Sequence, residues 1–218
     1  MIEGLIFDMD GVIIDSHPVH LTAWSKFLAT VGKAVSNEEL AFILEGRRRE
    51  DILRHFLGHL PASKIVEYGR QKDQFFHANF QNVKLIPGVC DLLEKAAVLQ
   101  LQAAIATSAS ARRTRGTLRR LGLEEKFSVI VTGDDVKAGK PDPEVYKLAA
   151  ERMNLSTEKL LALEDAPCGV QAAKSAGMKC VGVSTNGRAE VLRRSGAEFV
   201  IPDFRNHHIE RVLQLCSA

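Results

Sequence analysis

Short apolar runs alternate with helix-spaced apolar stripes along most of this chain. Leu5-Ile6-Phe7 is one such run; it ends at Asp8, and Gly11 follows. That pattern predicts a buried strand delivering acids to a loop. From Leu101 onward the pattern recurs. Ala103-Ala104-Ile105-Ala106 ends at Thr107-Ser108, and Val129-Ile130-Val131 ends at Thr132-Gly133. Leu160-Leu161-Ala162-Leu163 ends at Glu164-Asp165, and Cys180-Val181-Gly182-Val183 ends at Ser184-Thr185. Helix-like stretches lie between them: Arg113 to Leu121 closed by Gly122, Pro143 to Met153, and Gly169 to Ala176 closed by Gly177. Proline just inside a start and glycine just past an end are ordinary helix punctuation. Strand–helix alternation predicts an α/β fold, a Rossmann-like doubly wound parallel sheet with helices on both faces. In such sheets ligands bind beyond the carboxyl ends of the strands, where the polar residues just named fall.

One segment breaks the alternation and reads as helix only. Leu21, Trp24, Leu28 and Val31 recur at helical spacing between Pro18 and Gly32. Ile52, Leu53, Phe56 and Leu57 form a second stripe before Pro61, and a third helix is predicted over about 63–80. The expected organisation is a core of residues 1–15 and 83–218, with an all-helical cap of residues 16–82 inserted after the first strand. Pro87-Gly88 marks the return to the core.

Composition narrows the picture. The 218 residues are 45% hydrophobic and 26% charged, enough apolar material for a real core. Lys plus Arg is 29 and Asp plus Glu is 27, a net charge of +2 that offers no argument for nucleic acid or a membrane surface. The 4 cysteines include no C-x-x-C pair, so reduced thiols and a cytoplasmic location are expected. No run approaches the roughly 18 apolar residues of a membrane span. Acids at Glu3, Asp8, Asp10 and Asp15 interrupt the first run, which does not read as a signal peptide.

Four loop ends carry candidate chemistry. Asp8-Met9-Asp10-Gly11 is either a plain turn or a pair of carboxylates with separate tasks. One would attack phosphorus, and the other would protonate the leaving oxygen and later deprotonate water. Thr107-Ser108-Ala109-Ser110 supplies hydroxyls and backbone N–H groups, which either cap a helix or hold phosphoryl oxygens. Lys140, between Gly139 and Pro141, is either an exposed loop lysine or a cation that offsets a carboxylate beside a phosphate. Glu164-Asp165 is either a charged loop or an oxygen-donor pair for a hard divalent cation. All four fall at carboxyl ends of predicted strands. Together they form an inventory for phosphoryl transfer through an aspartyl phosphate.

These residues resemble the four motifs of the haloacid dehalogenase superfamily: D-x-D-G at 8–11, T/S at 107–108, K-P at 140–141 and E-D at 164–165. The spacings are 100 residues from Asp8 to Ser108, 32 to Lys140 and 25 to Asp165. The helical insert is similar to that superfamily's small C1 cap. The resemblance implies a Rossmann-like core, an aspartyl-phosphate intermediate and a Mg²⁺ cofactor. It implies Asp8 as nucleophile and Asp10 as acid/base. Ser108, with the Ala109 N–H, would bind phosphate, Thr107 being the other candidate hydroxyl. Lys140 would bridge phosphate and nucleophile. Asp8, the Asp10 carbonyl, Glu164 and Asp165 would hold Mg²⁺. Asp10 and Gly11 argue against the D-x-Y pattern of true dehalogenases and against the small residue that phosphonatases place there.

The cap resembles the β-phosphoglucomutase branch. Gly46-Arg47-Arg48-Arg49-Glu50-Asp51, after Glu45, is similar to that branch's G-x-x-R-E-D. The resemblance implies that Arg49 grips a distal phosphate and that His20 and Lys72 contact substrate, with Asp15-Ser16 at the hinge. Ala111-Arg112 stands where the mutase has Lys-Asn. The expected activity is therefore a Mg²⁺-dependent phosphatase of a small phosphorylated metabolite, a sugar phosphate, acting as a monomer or weak homodimer. The alternatives are a β-phosphoglucomutase-like isomerase and a non-catalytic phosphometabolite-binding protein. His55 and His59 lie four residues apart but lack a third zinc ligand. Arg112, Arg113, Arg115, Arg119 and Arg120 read as a solvated basic helix face.

Overall fold

Six parallel strands form the centre of the computed structural model, which describes residues 1–185 and 187–217. The strands are β1 (Gly4–Phe7), β2 (Ile14–Asp15), β3 (Lys84–Leu85), β4 (Gln102–Ala106), β5 (Val129–Val131), β6 (Leu160–Glu164), β7 (Lys179–Val183) and β8 (Val200–Ile201). The large sheet runs β5-β4-β1-β6-β7-β8. Its central strand, β1, sets Phe7 beside Ile105 on one side and Leu163 on the other. The next residues along β1, β4 and β6 therefore emerge together at one edge. The predicted strands after Leu101 are all present; β8 and the two-residue strands were too short to be read from periodicity.

The helices are α1 (His17–Thr30), α2 (Asn37–Leu40), α3 (Arg49–Leu57), α4 (Ala62–Ala78), α5 (Val89–Val98), α6 (Ala111–Leu121), α7 (Glu144–Met153), α8 (Pro167–Ser175), α9 (Ala189–Arg194) and α10 (His207–Ser217). Alternation of strand side chains builds two cores, one on each face. Leu5, Phe7, Leu161 and Leu163 pack with Leu92 of α5, Leu118 of α6 and Val212 of α10. Ile6, Leu160 and Ala162 face the other way, onto Tyr146 and Ala149 of α7, Val170 of α8 and Leu192 of α9. The sheet is thus doubly wound, as the alternation predicted.

Helices α1 to α4 form the cap. Trp24, Phe27 and Leu28 of α1 pack with Leu40, Ile43, Ile52, Leu53 and Phe56 in a third apolar cluster. Where the chain leaves and re-enters the core, β2 and β3 pair antiparallel, Ile14 with Leu85 and Asp15 with Lys84. Val19 and Ala23 of α1, Phe76 of α4 and Phe80 just after it belong to the main core cluster. The cap base is therefore apolar and continuous with the core. Among the described residues no helix is long and apolar enough to cross a membrane.

Candidate active site

Lys140 organises the centre of the site. Its ammonium donates to Asp8 Oδ1 at 2.6 Å, Glu164 Oε1 at 2.5 Å and the Ala106 carbonyl at 3.0 Å. An ammonium has three N–H donors, and all three are used. Asp8 follows β1, Glu164 ends β6, Ala106 ends β4 and Lys140 lies between β5 and α7. One buried side chain thus stitches together the ends of three adjacent strands. Burial opposes its charge, but Asp8 and Glu164 outweigh that and raise the Lys140 pKa, so it is a permanent cation. Burial pushes the Asp8 carboxyl well up; Lys140 opposes this, while Glu164 and Asp165 add to it.

Glu164 is held on both oxygens. Oε1 also accepts from the buried Tyr146 hydroxyl at 2.7 Å, and Oε2 accepts from the Asp165 and Ala166 amides at 3.1 and 3.2 Å. The first turn of α8 comes so close that a Cβ on Gly169 would sit 1.9 Å from Glu164 Oε1. Gly169 therefore leaves the room in which this carboxylate sits.

Asp10 is clamped by four donors. Oδ1 accepts from Ser16 Oγ at 2.6 Å, His20 Nε2 at 3.1 Å and one guanidinium nitrogen of Arg113 at 2.9 Å. Oδ2 accepts from the other guanidinium nitrogen at 2.5 Å. Burial pulls the Asp10 carboxyl up, but Arg113 and then His20 outweigh it and hold it well below the usual carboxylate range.

The sequence pattern placed Arg113 on a solvated face, and here the structure corrects it. Arg112, Arg115, Arg119 and Arg120 are exposed, whereas Arg113 is 5% exposed. The signal was available in the helix period: position 113 shares a face with Thr117, four residues on, which is buried.

The cap supplies the opposite wall. Lys72 of α4 is buried, with Nζ 3.1 Å from His20 Nδ1 and 3.6 Å from Asp73. Burial, then the charge of Arg113, brings Lys72 down to about 7. Burial, then Lys72, brings His20 down to about 3, so its ring is neutral. The partners assign the tautomer: Nε2–H donates to Asp10 and Nδ1 accepts from Lys72. Arg49 pairs with Asp73 at 3.2 Å. A cavity of about 90 Å³ lies between these cap groups and the core, lined by Asp8, Asp10 and Asp165 below and His20, Arg49 and Lys72 above. His55 stacks on Phe42, with ring centroids 3.8 Å apart, which explains it as cap packing.

The loop after β4 also contacts the cap. Ser108 Oγ donates to the Gly46 carbonyl at 2.7 Å, while Thr107 Oγ1 accepts from the Ala109 amide at 3.2 Å. Both residues line the cavity.

The acids leave room and need for a cation. Asp8 and Glu164 share the Lys140 ammonium, Asp165 is a third buried carboxylate nearby, and Asp10 is offset by its own Arg113. Asp165 Oδ2 is buried without an aligned hydrogen-bond donor; the His17 ring lies 2.8 Å away. A Cβ on Gly11, where φ is +80°, would sit 2.2 Å from that oxygen. Among the described residues no three His, Cys, Asp or Glu side chains close into a ready-made cage.

The profile of the haloacid dehalogenase-like hydrolases matches residues 5–183. This chain belongs to that family. It is 35% identical over 216 residues to a phosphorylated carbohydrates phosphatase of Thermotoga maritima, covering 92% of this chain and 95% of that protein. It is 30% identical to a β-phosphoglucomutase of Bacillus subtilis, covering 83% of each. The crystal structure of a β-phosphoglucomutase from Clostridium difficile superposes with a TM-score of 0.87 at 26% identity, covering 100% of this chain and 98% of that one. The resemblance drawn from the four motifs is thus met, and this haloacid dehalogenase-like hydrolase is an enzyme of the phosphohydrolase type.

Within the hydrolase, Asp8, Asp10, Ser108, Ala109, Lys140, Glu164 and Asp165 come together at one sheet edge, with His20, Arg49 and Lys72 across the cavity. Arg113 is the member that sequence reasoning missed.

Proposed function

We propose that this chain is a Mg²⁺-dependent phosphatase of small sugar phosphates that works through an aspartyl phosphate on Asp8. The observation that carries the reading is the Lys140 ammonium, fixed between Asp8 and Glu164 beside Asp10 and under a cationic cap wall. Asp8 attacks phosphorus, and Asp10 gives a proton to the departing sugar oxygen. Water then attacks the phosphoryl group on Asp8, and Asp10 receives its proton. Lys140 offsets the charge of Asp8 as the phosphate approaches, and Ser108 and the loop amides hold phosphoryl oxygens. Asp8, Asp165 and the Asp10 carbonyl would hold Mg²⁺, which when bound supplies a counter-charge to nucleophile and phosphate. Glu164, both oxygens engaged by protein donors, supports Lys140 and the loop instead of adding a further ligand. Arg49 and Lys72 face the rest of the substrate, and the cap excludes water while they do so.

The relatives include both a phosphatase and a β-phosphoglucomutase. Ala111-Arg112 favours the phosphatase here, because the mutase-like Lys-Asn grip on a second sugar phosphate is missing. The test is phosphate release with Mg²⁺ across a panel of sugar phosphates, with Asp8→Asn and a chelator as controls. Free phosphate that disappears in D8N is the expected result. Conversion of β-glucose 1-phosphate to glucose 6-phosphate with little free phosphate selects the isomerase. Metal-dependent turnover retained in D8N sinks the nucleophile assignment.

A further inference from the structure

Arg113 is buried at a price in desolvation, and the four motifs do not account for it. It stands in the first turn of α6, a helix in which the buried hydroxyls of Thr114 and Thr117 have no hydrogen-bond partner among the described residues. Nothing in that helix pairs with its charge. Its guanidinium instead crosses to Asp10 and grips both oxygens, at 2.9 and 2.5 Å. From the cap, the Phe76 ring covers the guanidinium at 5.2 Å and packs 4.7 Å from the His20 ring, another donor to Asp10. Asp10 is therefore fixed from α6, from α1 and from Ser16. Oδ1 takes three donors and Oδ2 takes one. Oδ2, with one donor against three, is the less engaged oxygen and the one on which a further partner is best placed.

We propose that Arg113 is the positioning residue of Asp10 for the hydrolytic half-reaction, fixing the carboxylate plane so that Oδ2 meets the attacking water. This rests on the phosphatase reading above. In that step the water oxygen forms a bond to phosphorus, and the bond from phosphorus to Asp8 breaks. Its electron pair returns to the Asp8 carboxylate, the water proton passes to Asp10 Oδ2, and inorganic phosphate leaves. A carboxylate in a guanidinium fork is an acceptor only. The clamp seen here thus matches the half-reaction in which Asp10 receives a proton, after it has given one to the leaving sugar. A lysine would keep the charge but not the plane.

The test uses p-nitrophenyl phosphate, whose leaving group departs without needing a proton, and the variants Arg113→Met and Arg113→Lys. Positioning groups in proton transfer contribute within the span of general acid–base catalysis, so R113M is expected to release phosphate about 10²-fold more slowly. A burst of nitrophenol approaching one per active site should precede the slow phase, and phosphate should accumulate on Asp8 by mass spectrometry. R113K should show the same burst with a smaller slowing, and it carries the test if R113M does not fold. A merely structural role slows both half-reactions without a burst; that result, or unchanged turnover, overturns the proposal. Asp10→Asn separates the two claims. A burst in D10N without one in the Arg113 variants discards the role of Arg113 and keeps the reading. Turnover in D8N discards the reading and the proposal with it.

Discussion

A buried charge costs desolvation that paired donors and acceptors offset, and Lys140 and Glu164 show this residue by residue. Lys140 meets three acceptors; Glu164 meets Lys140, Tyr146 and two backbone amides. Lys72 is the less stable case, because burial and Arg113 bring it down to about 7. Its cation is present below that value and fades above it. Attraction for an anionic substrate should therefore weaken as pH rises through about 7, seen as a rising KM. Lys72→Met should raise KM at low pH by roughly 10–100-fold, the worth of a charged hydrogen bond, and flatten the profile. A wild-type profile no steeper than the variant's rejects the assignment of Lys72 to substrate. The same lysine affects stability. The unfolded chain keeps its proton up to the ordinary 10.5, while the folded chain releases it near 7. The unfolded state binds more protons between those values, so this group makes stability rise with pH across that window.

At the scale of elements, the loops after β1, β4 and β6 hold the chemistry because the register ends these strands together. The segment between α2 and α3 holds the cap against them. Ser108 Oγ donates to the Gly46 carbonyl at 2.7 Å, Arg48 donates to the Val136 carbonyl at 3.2 Å, and Arg188 donates to the Leu44 carbonyl at 2.7 Å. These bonds bind cap carbonyls and a cap arginine to three different core loops. Arg188→Ala removes one of them away from the reacting atoms. One such bond is worth about 1 kcal/mol, so KM should rise by roughly fivefold with kcat within about twofold. Steady-state kinetics checks it, and unchanged KM means that the bond does not hold the closed cap. At this scale the sequence was readable where apolar runs were pure. The helix predicted from Arg113 starts two residues earlier, at Ala111, since Ser110 caps it by accepting from the Arg113 amide. Helices α5 and α10 were not read, although Val89, Leu92, Leu93 and Ala96 in one and Ile209, Val212 and Cys216 in the other recur at helical spacing.

The whole molecule combines two cores across one sheet with a cap whose base joins the main cluster. Its charge is nearly balanced, yet the carboxylates around Asp8 are not balanced locally. A cation that binds only the folded chain raises its stability by mass action, about 2.7 kcal/mol at a hundredfold excess over Kd. For a domain of this size that is about 5–10 °C in Tm. Thermal unfolding with and without Mg²⁺ measures this, and Asp165→Asn should abolish most of the rise. A rise that survives in D165N places the cation elsewhere.

Apolar periodicity was enough to determine the α/β class, and the order of polar loop ends was enough to name the candidate residues that the strand ends carry. Both signals are local: a run of buried residues makes a strand, and its last residue names the loop that follows. The tertiary structure alone decided which partner each charge takes. Glu164 serves Lys140 because Gly169 lets α8 approach, and Arg113 turns from a surface helix to Asp10 because a helix face points it inward. Such pairings join residues far apart in the chain, 103 positions in the case of Arg113 and Asp10, and no local pattern records them.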